Sequence, residues 1–397
     1  MSLFLGSCRT GPTPEEPAAE AATAEAAGAS FPEPLRRRAE SLSAITPTLE
    51  AQVDELLAEM SVEELLGQRF MAFLPRSVDG APADPEELRP LLRPVSPAGF
   101  ILYRWNLDSY KGSARLTKEL QELQLESGAA TKLLFAVDQE GGRVANLRFP
   151  QQAAFPSAFQ LGLRKDLQYV SSAAYITGVD LSRVGIRMNF APVLDLYAEE
   201  DSTIIGDRAF GDVPELVAAL GVSYIRGAME AGIVPVAKHF PGHGVTTVDS
   251  HGSLPVSDIE PEALRLRELE PYRAAIEAGV PAIMTAHILY RKIDPEYPAT
   301  LSPRFIDNIL RGELGFDGVV ITDGFSMGAL STEYSRSEAL RQSFLAGVDL
   351  ILIHARYEYA EVFGEAMALI EAGIVSEERL KEGARRVLLL KARLGLL

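Results

Sequence analysis

Eight short apolar runs recur along this chain, and longer amphipathic stretches separate them. The runs are Gln68–Phe73, Gly99–Tyr103, Leu133–Val137, Arg187–Pro192, Val234–His239, Ala282–Ala286, Val319–Thr322 and Leu350–Ile353. Their nearly continuous apolar character is typical of parallel strands that are buried on both faces. Eight strand–helix units in one chain predict an α/β fold, a single (β/α)8 barrel of the TIM type.

Helical patterns fill the intervals between these predicted strands. They cover Ser109–Glu126, Leu167–Arg183, Val213–Ala231, Pro261–Ala278, Arg304–Leu314, Ser337–Leu345 and Glu358–Ala372, with flanking helices at Val53–Leu66 and Glu377–Leu394. Gly232, Gly279 and Gly347 follow three of them, because glycine accepts the left-handed conformation that ends a helix. A doubly wound open sheet is the competing fold, but no Gly-x-Gly-x-x-Gly follows the first strand and no P-loop occurs.

The N-terminal region differs from the rest in composition. Residues 9–34 are dominated by Pro, Ala, Glu and Thr, which bury too little apolar surface to offset the entropy of ordering. We therefore expect a disordered leader over residues 1–46 and the barrel domain over residues 47–397. Leu5-Gly6-Ser7-Cys8 resembles a bacterial lipoprotein box, so a lipid anchor at Cys8 and a chance match both stay open. A lipid anchor would place the protein outside the cytoplasm, and a chance match would leave it in the cytoplasm.

The charge balance narrows the choice of partners. The net charge of −17 disfavours nucleic acid and anionic membrane surfaces, because like charges repel. The single cysteine, Cys8, excludes an intrachain disulfide and a cysteine-rich zinc site. No run of 18 apolar residues is present, so we expect no membrane span. We expect a monomer that binds a small molecule.

Ionisable residues stand at the ends of six predicted strands. They are Asp138, Asp195, the pair Lys238-His239, His287, Asp323 and His354. In (β/α)8 barrels the catalytic groups cluster at the carboxyl ends of the strands. Any one of these residues could be a loop cap or a buried polar group with its hydrogen bonds satisfied. For His354, taken by itself, this is the favoured interpretation. Together they predict a functional site at this end of the barrel.

The segment Ala237–His251 holds three of the five histidines. One interpretation is a metal site, which would use His239, His243, Asp249 and His251. The i, i+4 spacing of the first two histidines would suit a metal only on a helix, and Pro241-Gly242 breaks one. The other interpretation is an active-site loop, in which a carboxylate beside an imidazole supports general acid/base chemistry near neutral pH.

Asp323 follows directly on a β-branched strand, in the segment Gly315–Ala329. It could serve as a nucleophile or as a carboxylate that stabilises a developing positive charge. It could also be the N-cap of the following turn, a position that aspartate often occupies.

Four ordered motifs resemble those of glycoside hydrolase family 3, specifically its β-N-acetylglucosaminidase branch. They are Val137-Asp138-Gln139-Glu140-Gly141-Gly142-Arg143-Val144, Asn189-Phe190-Ala191-Pro192-Val193-Leu194-Asp195, Lys238-His239-Phe240-Pro241-Gly242-His243-Gly244 with Asp249-Ser250-His251 behind it, and Ile321-Thr322-Asp323-Gly324-Phe325-Ser326-Met327. The resemblance extends from about Val53 to the C-terminus. It implies a one-domain barrel that acts on β-linked N-acetylglucosamine, often from peptidoglycan fragments, by a retaining double displacement.

The resemblance also implies residue roles. Asp323 would be the nucleophile, and His251 the acid/base oriented by Asp249, in place of the usual carboxylic acid of retaining glycosidases. The implied substrate-binding residues are Asp138, Arg143, Asn146, Arg208, Lys238 and His239. Lys238 could instead be a simple ion-pair partner.

Two positions depart from the family pattern. Asn146 stands where many relatives carry arginine, so that sugar contact is either lost or taken over by Arg148. Gly324 stands where many relatives carry a second acidic residue.

The leading hypothesis is therefore an exo-acting β-N-acetylhexosaminidase that needs no metal or organic cofactor. A glycoside phosphorylase is an alternative, because a neutral histidine repels incoming phosphate less than a carboxylate does. A β-glucosidase of the same family and a sugar-binding relative without catalysis are further alternatives. The retained Asp249, His251 and Asp323 argue against the last of these.

Overall fold

A computed structural model describes residues 45–75, 85–92, 95–149, 154–197, 204–246, 250, 252–325, 327–353 and 359–397. The predicted leader lies almost wholly outside these ranges, as does Cys8. Its disorder and the lipid anchor therefore stay predictions, and so does the monomeric state. Among the described residues, no helix combines the length and the apolar character that crossing a membrane requires.

Eight parallel strands form the centre of the fold. In chain order they are β1 Phe70–Phe73, β2 Gly99–Leu102, β3 Leu134–Val137, β4 Met188–Asn189, β5 Val234–Phe240, β6 Ala282–Thr285, β7 Val319–Thr322 and β8 Ile351–Ile353. The hydrogen-bonded order runs β7-β6-β5-β4-β3-β2-β1-β8, and a parallel bridge from Ile321 to Leu350 brings the two ends together. The predicted TIM-type barrel is confirmed, and each predicted strand corresponds to one observed strand.

The strands are apolar because both of their faces are covered. All residues of β1, β2, β3, β6 and β7 are buried. Because the interior and the helical layer each need apolar contacts, these strands lack the polar alternation of a half-exposed sheet. The parallel register pairs Val319 with Ala282 and Thr322 with Thr285, which brings the ends of neighbouring strands to the same level.

Helices surround the barrel. The α-helices of six or more residues in the described part of the chain are α1 Pro47–Glu59, α2 Val62–Gly67, α3 Tyr110–Glu126, α4 Ala158–Arg164, α5 Leu167–Arg183, α6 Pro214–Glu230, α7 Glu270–Glu277, α8 Arg336–Ala346, α9 Tyr359–Glu371 and α10 Glu377–Arg393. Two shorter helical turns cover Pro261–Ala263 and Gly328–Ser331. Two segments, Leu264–Glu268 and Arg304–Glu313, have π-helical geometry. The glycines predicted to end helices have positive φ values, 79° at Gly232 and Gly279 and 98° at Gly347.

The N-terminal helix differs from its prediction. Instead of one helix over Val53–Leu66, the chain forms α1 and α2 with a break at Met60, whose backbone is extended. Ser61 starts a new helix there: its hydroxyl accepts from Glu64 N, and the Glu64 carboxylate accepts from Ser61 N. This capping box satisfies amide groups that would otherwise lack partners, so two helices replace one. Val53 of α1 then packs against Leu388 and Leu389 of α10.

Candidate active site

A cavity of about 380 Å³ lies at the carboxyl ends of the barrel strands. Every strand contributes a lining residue from its end or from the following turn. These residues are Phe73, Tyr103, Asp138, Phe190, Lys238, Met284, Asp323 and Leu352. Parallel strands bring their carboxyl ends together, which is why residues far apart in the sequence meet here.

Asp323 is the carboxylate at the end of β7. Its Oδ1 accepts a hydrogen bond from the Gly324 N–H at 2.7 Å. Burial alone would raise its pKa, but the nearby His239 and His287 and the Gly324 N–H outweigh that effect and lower the pKa to about 2. His287 is held beside Asp323, because its Nδ1 lies 2.8 Å from Thr300 Oγ1 and its Nε2 lies 3.2 Å from the Gly324 carbonyl oxygen. The site thus presents an ionised carboxylate at neutral pH.

A network of alternating charges also lines the cavity. Lys238 Nζ lies 2.6 Å from both Asp138 Oδ1 and Glu140 Oε1. Arg208 binds the Glu140 carboxylate through two hydrogen bonds, both of 2.8 Å. Bidentate pairing of this kind fixes direction as well as charge. The side chains of Lys238 and Glu140 are almost fully buried, so their charges are not screened by water.

The pKa values follow from this pairing. Burial by itself would raise the pKa of Glu140, but Arg208 and Lys238 lower it to about 2. Burial would lower the pKa of Lys238, and the charges of Asp138 and Glu140 reverse that effect, so its pKa is raised. The Lys238 ammonium and the Glu140 carboxylate therefore remain charged at neutral pH. Such groups can donate to and accept from the hydroxyls of a polar ligand.

Asp195 orients the histidine of this network. Its Oδ2 accepts from His239 Nδ1 at 2.7 Å, and its Oδ1 accepts from the backbone N–H groups of His239 and His243. Because the carboxylate can only accept, the Nδ1 atom of His239 carries hydrogen. His239 Nε2 then faces Arg208 Nη2 at 3.4 Å. The imidazole is held in one orientation at the cavity wall.

Two predicted substrate-binding residues lie outside the described lining of the cavity. The Arg143 guanidinium donates to the carbonyls of Ile204 and Ile205 and pairs with Asp207 at 2.9 Å. Asn146 Nδ2 donates to the Asp138 carbonyl at 2.8 Å, and its Oδ1 accepts from Arg104 N at 3.1 Å. Both residues thus connect neighbouring loops at the carboxyl end of the barrel. Direct contact of either with a sugar stays a prediction.

Arg148, the alternative to Asn146, also contacts backbone. Its guanidinium donates to the carbonyls of Gly142 and Arg143, each at 2.9 Å.

The predicted acid/base pair Asp249 and His251 lies outside the described residues, as does His354. Ser250, between the pair in sequence, lines the cavity, and its hydroxyl lies 3.2 Å from His243 Nε2. Its carbonyl accepts from Ala329 N in the short helix Gly328–Ser331, which follows β7 and Asp323. Within the described part of the chain, no group of three His, Cys, Asp or Glu is arranged to hold a metal ion.

Sequence reasoning missed two ionisable residues of the described cavity lining. Glu140 lies two positions after Asp138, so in an extended segment the two carboxylates share a side, and this spacing could have identified it. Tyr103 ends the predicted second strand, where its apolar neighbours conceal it. Its phenol lines the cavity, and burial together with the charges of Asp138 and Asp323 raises its pKa.

The fold and the cavity together define the general class: a (β/α)8 barrel with charged side chains at its carboxyl-end mouth, where enzymes of this fold place their sites. The sequence profile described as "Glycosyl hydrolase family 3 N terminal domain" matches residues 49–390. The chain therefore belongs to glycosyl hydrolase family 3.

Individual relatives agree with this family. The chain is 32% identical over 332 residues to Beta-hexosaminidase A of Pseudoalteromonas piscicida, covering 78% of this chain and 56% of that protein. It is 34% identical over 299 residues to a Beta-hexosaminidase of Hydrogenovibrio crunogenus, covering 74% and 81% respectively.

Among solved structures, it resembles a glycoside hydrolase family 3 beta-N-acetylglucosaminidase from Paenibacillus sp. with 39% identity and a TM-score of 0.80. That match covers 85% of this chain and 63% of the other. The chain thus spans less than two thirds of two of these relatives.

Proposed function

We propose that this protein is a retaining exo-β-N-acetylhexosaminidase that releases terminal β-linked N-acetylglucosamine. The observation that carries the proposal is the ionised Asp323 in one cavity with the Asp138–Lys238–Glu140–Arg208 network. An ionised carboxylate is the group that a double displacement needs as its nucleophile. The names of the relatives, beta-hexosaminidase and beta-N-acetylglucosaminidase, support the choice of sugar.

The proposed reaction has two steps. Asp323 attacks the anomeric carbon while His251 protonates the departing oxygen, which leaves a covalent glycosyl-enzyme. His251 then takes a proton from water, and the water displaces Asp323 and releases the free sugar. Ser250 lines the cavity and is hydrogen-bonded to the short helix Gly328–Ser331, and this position supports the role proposed for His251, the next residue.

The network would hold the terminal sugar. Lys238 and Arg208 donate, Asp138 accepts, and Glu140 keeps the two cations in position. Natural substrates drawn from peptidoglycan fragments form part of the same proposal and rest on the family resemblance.

The test is an assay with p-nitrophenyl β-N-acetylglucosaminide and p-nitrophenyl β-glucoside, each with and without inorganic phosphate. Release of free N-acetylglucosamine from the first substrate alone, independent of phosphate, is the expected result. Formation of a sugar 1-phosphate would identify a phosphorylase instead, and preference for the glucoside would overturn the assigned sugar. Absence of turnover on both substrates would indicate a binding protein.

A further inference from the structure

Three aromatic rings form a continuous stack at the mouth of the barrel. The Phe73 and Tyr103 rings are 4.8 Å apart at 22°, and the Tyr103 and Trp105 rings are 4.5 Å apart at 9°. Phe73 ends β1, whereas Tyr103 and Trp105 follow β2. We call these three residues the aromatic stack. It runs from the cavity lining, to which Phe73 and Tyr103 belong, to a tryptophan that is 39% exposed.

The turn that carries Trp105 is held on two sides. Asn106 Oδ1 accepts from Tyr103 N at 2.9 Å, and its amide nitrogen donates to the Pro75 carbonyl at 3.2 Å. Asn146 accepts a hydrogen bond from Arg104 N and donates one to the backbone carbonyl of Asp138, whose carboxylate lines the cavity. Trp105 is therefore fixed in direction and close to the cavity before any ligand arrives.

A single exposed aromatic residue usually needs no explanation. Trp105 differs in being stacked on Tyr103 at the edge of a cavity that contains charged groups. Tyr169 is exposed to a similar extent, 37%, but it lies on α5, away from the cavity lining, where Arg164 packs on its ring. Large aromatic side chains that are already ordered bind at little entropic cost. The rim of this cavity thus presents an apolar platform beside polar groups.

The chemistry of the proposed reaction determines what such a platform would meet. Asp323 attacks the anomeric carbon from inside the cavity, so the departing group lies on the opposite side, toward the mouth. A pyranose ring has one face that presents mainly C–H groups, and this face suits contact with an aromatic ring.

We propose that the aromatic stack is the subsite for the departing sugar, with Trp105 packing against the apolar face of its pyranose ring. This inference rests on the proposed function and adds to it a preference for substrates whose leaving group is a sugar.

The test compares two substrates that share the same terminal sugar. The leaving group of N,N′-diacetylchitobiose is a sugar, whereas that of N-acetyl-β-glucosaminyl fluoride is a fluoride ion. In Trp105→Ala we expect the ratio of kcat/KM for the disaccharide to that for the fluoride to fall about fivefold to tenfold, the usual strength of one aromatic contact. Trp105→Phe keeps a ring and should recover most of this ratio.

Tyr169→Ala is the matched control, because it removes an equally exposed aromatic ring from the outer surface, and we expect it to leave the ratio unchanged. An unaltered ratio in Trp105→Ala, with wild-type hydrolysis of the fluoride intact, would overturn the subsite and leave the proposed function standing. If the wild-type protein hydrolyses neither substrate, the proposed function fails and the subsite fails with it. Thermal unfolding of each variant verifies that it is folded.

Discussion

The charge on Asp323 depends on residues from other strands. His239 lies in β5 and His287 in the turn after β6, and together with the Gly324 amide they keep the carboxylate ionised despite its burial. Replacing Asp323 by asparagine conserves its shape and removes both the charge and the nucleophile. At the scale of single residues this is the most direct perturbation of the site.

Asp323→Asn should lower kcat/KM on p-nitrophenyl β-N-acetylglucosaminide on the order of 10⁴-fold or more, because the covalent step is deleted. Steady-state kinetics measure the loss, and calorimetric binding of N-acetylglucosamine should persist, because the cation–carboxylate network remains. A folded variant that keeps near-normal rates would contradict the nucleophile assignment.

His251→Ala should distinguish leaving groups by their need for a proton. General acid catalysis contributes about 10²–10⁴-fold and matters less for a weakly basic leaving group. We therefore expect a far larger loss on a natural disaccharide than on a dinitrophenyl glycoside in the first step. With no base for the second step, a burst of dinitrophenol and a mass increase of one sugar should appear.

Asp249→Ala should show a milder form of the same behaviour, because the imidazole remains but loses its proposed orienting partner. Equal slowing of both substrates in His251→Ala, without burst or adduct, would require another proton donor.

At the scale of elements, the π-helical turn Leu264–Glu268 places a carboxyl group directly behind the loop that carries His243. Gly242 has a φ of 142°, and a Cβ there would lie 2.7 Å from Glu268 Oε2, so this position requires glycine. Glu268 Oε2 is buried and has no hydrogen-bond partner among the described residues. Burial, reinforced by the charge of Asp195 and only partly offset by Arg267, raises the pKa of Glu268 to about 7.

This raised pKa has a defined effect on stability. The folded protein binds the proton more tightly than the unfolded chain, so the contribution is fully present below about pH 4.5 and is lost as pH rises through 7. The difference between the two pKa values corresponds to roughly 3 kcal/mol. We expect Glu268→Gln to have the same free energy of unfolding as the wild type at pH 4.5 and a higher one at pH 8. Urea unfolding of both proteins at each pH measures the difference. If the free energies of unfolding of the two proteins change with pH in parallel, the pKa of Glu268 is not raised.

The whole molecule depends on closing the barrel between its first and last strands. Arg69, just before β1, is 1% exposed, and its guanidinium donates to the carbonyls of Asp349 at 2.7 Å, of Arg379 and Leu380 at 3.0 Å each, and of Val348. One side chain thus joins β1, the approach to β8 and α10. Removing it leaves several buried carbonyls without donors, which is costly in a dry interior.

We therefore expect Arg69→Met to lower the free energy of unfolding by at least about 3 kcal/mol. Arg265→Met is the control, because the side chains of Arg265 and its ion-pair partner Glu313 are 41% and 33% exposed, so the pair should contribute under about 1 kcal/mol. Chemical denaturation of both variants measures the difference. A small effect at Arg69 would mean that backbone pairing alone closes the barrel.

The sequence by itself determined the architecture and the family. The eight strands and the glycines that end helices were predicted because burial on both faces and left-handed backbone leave local patterns that need no knowledge of neighbours. The break between α1 and α2 was also encoded locally, in Ser61 and Glu64, and was missed because the apolar periodicity continues across it.

Only the tertiary structure decided how the site is connected. Lys238 meets Asp138 across 100 residues and Arg208 meets Glu140 across 68. The same folding brings Arg143 and Asn146 onto backbone carbonyls and amides of neighbouring loops and assembles the aromatic stack from two strands. These contacts depend on strand order and register, which set the distances between strand ends. A distance of that kind leaves no pattern in a linear sequence, because each residue type is compatible with many partners.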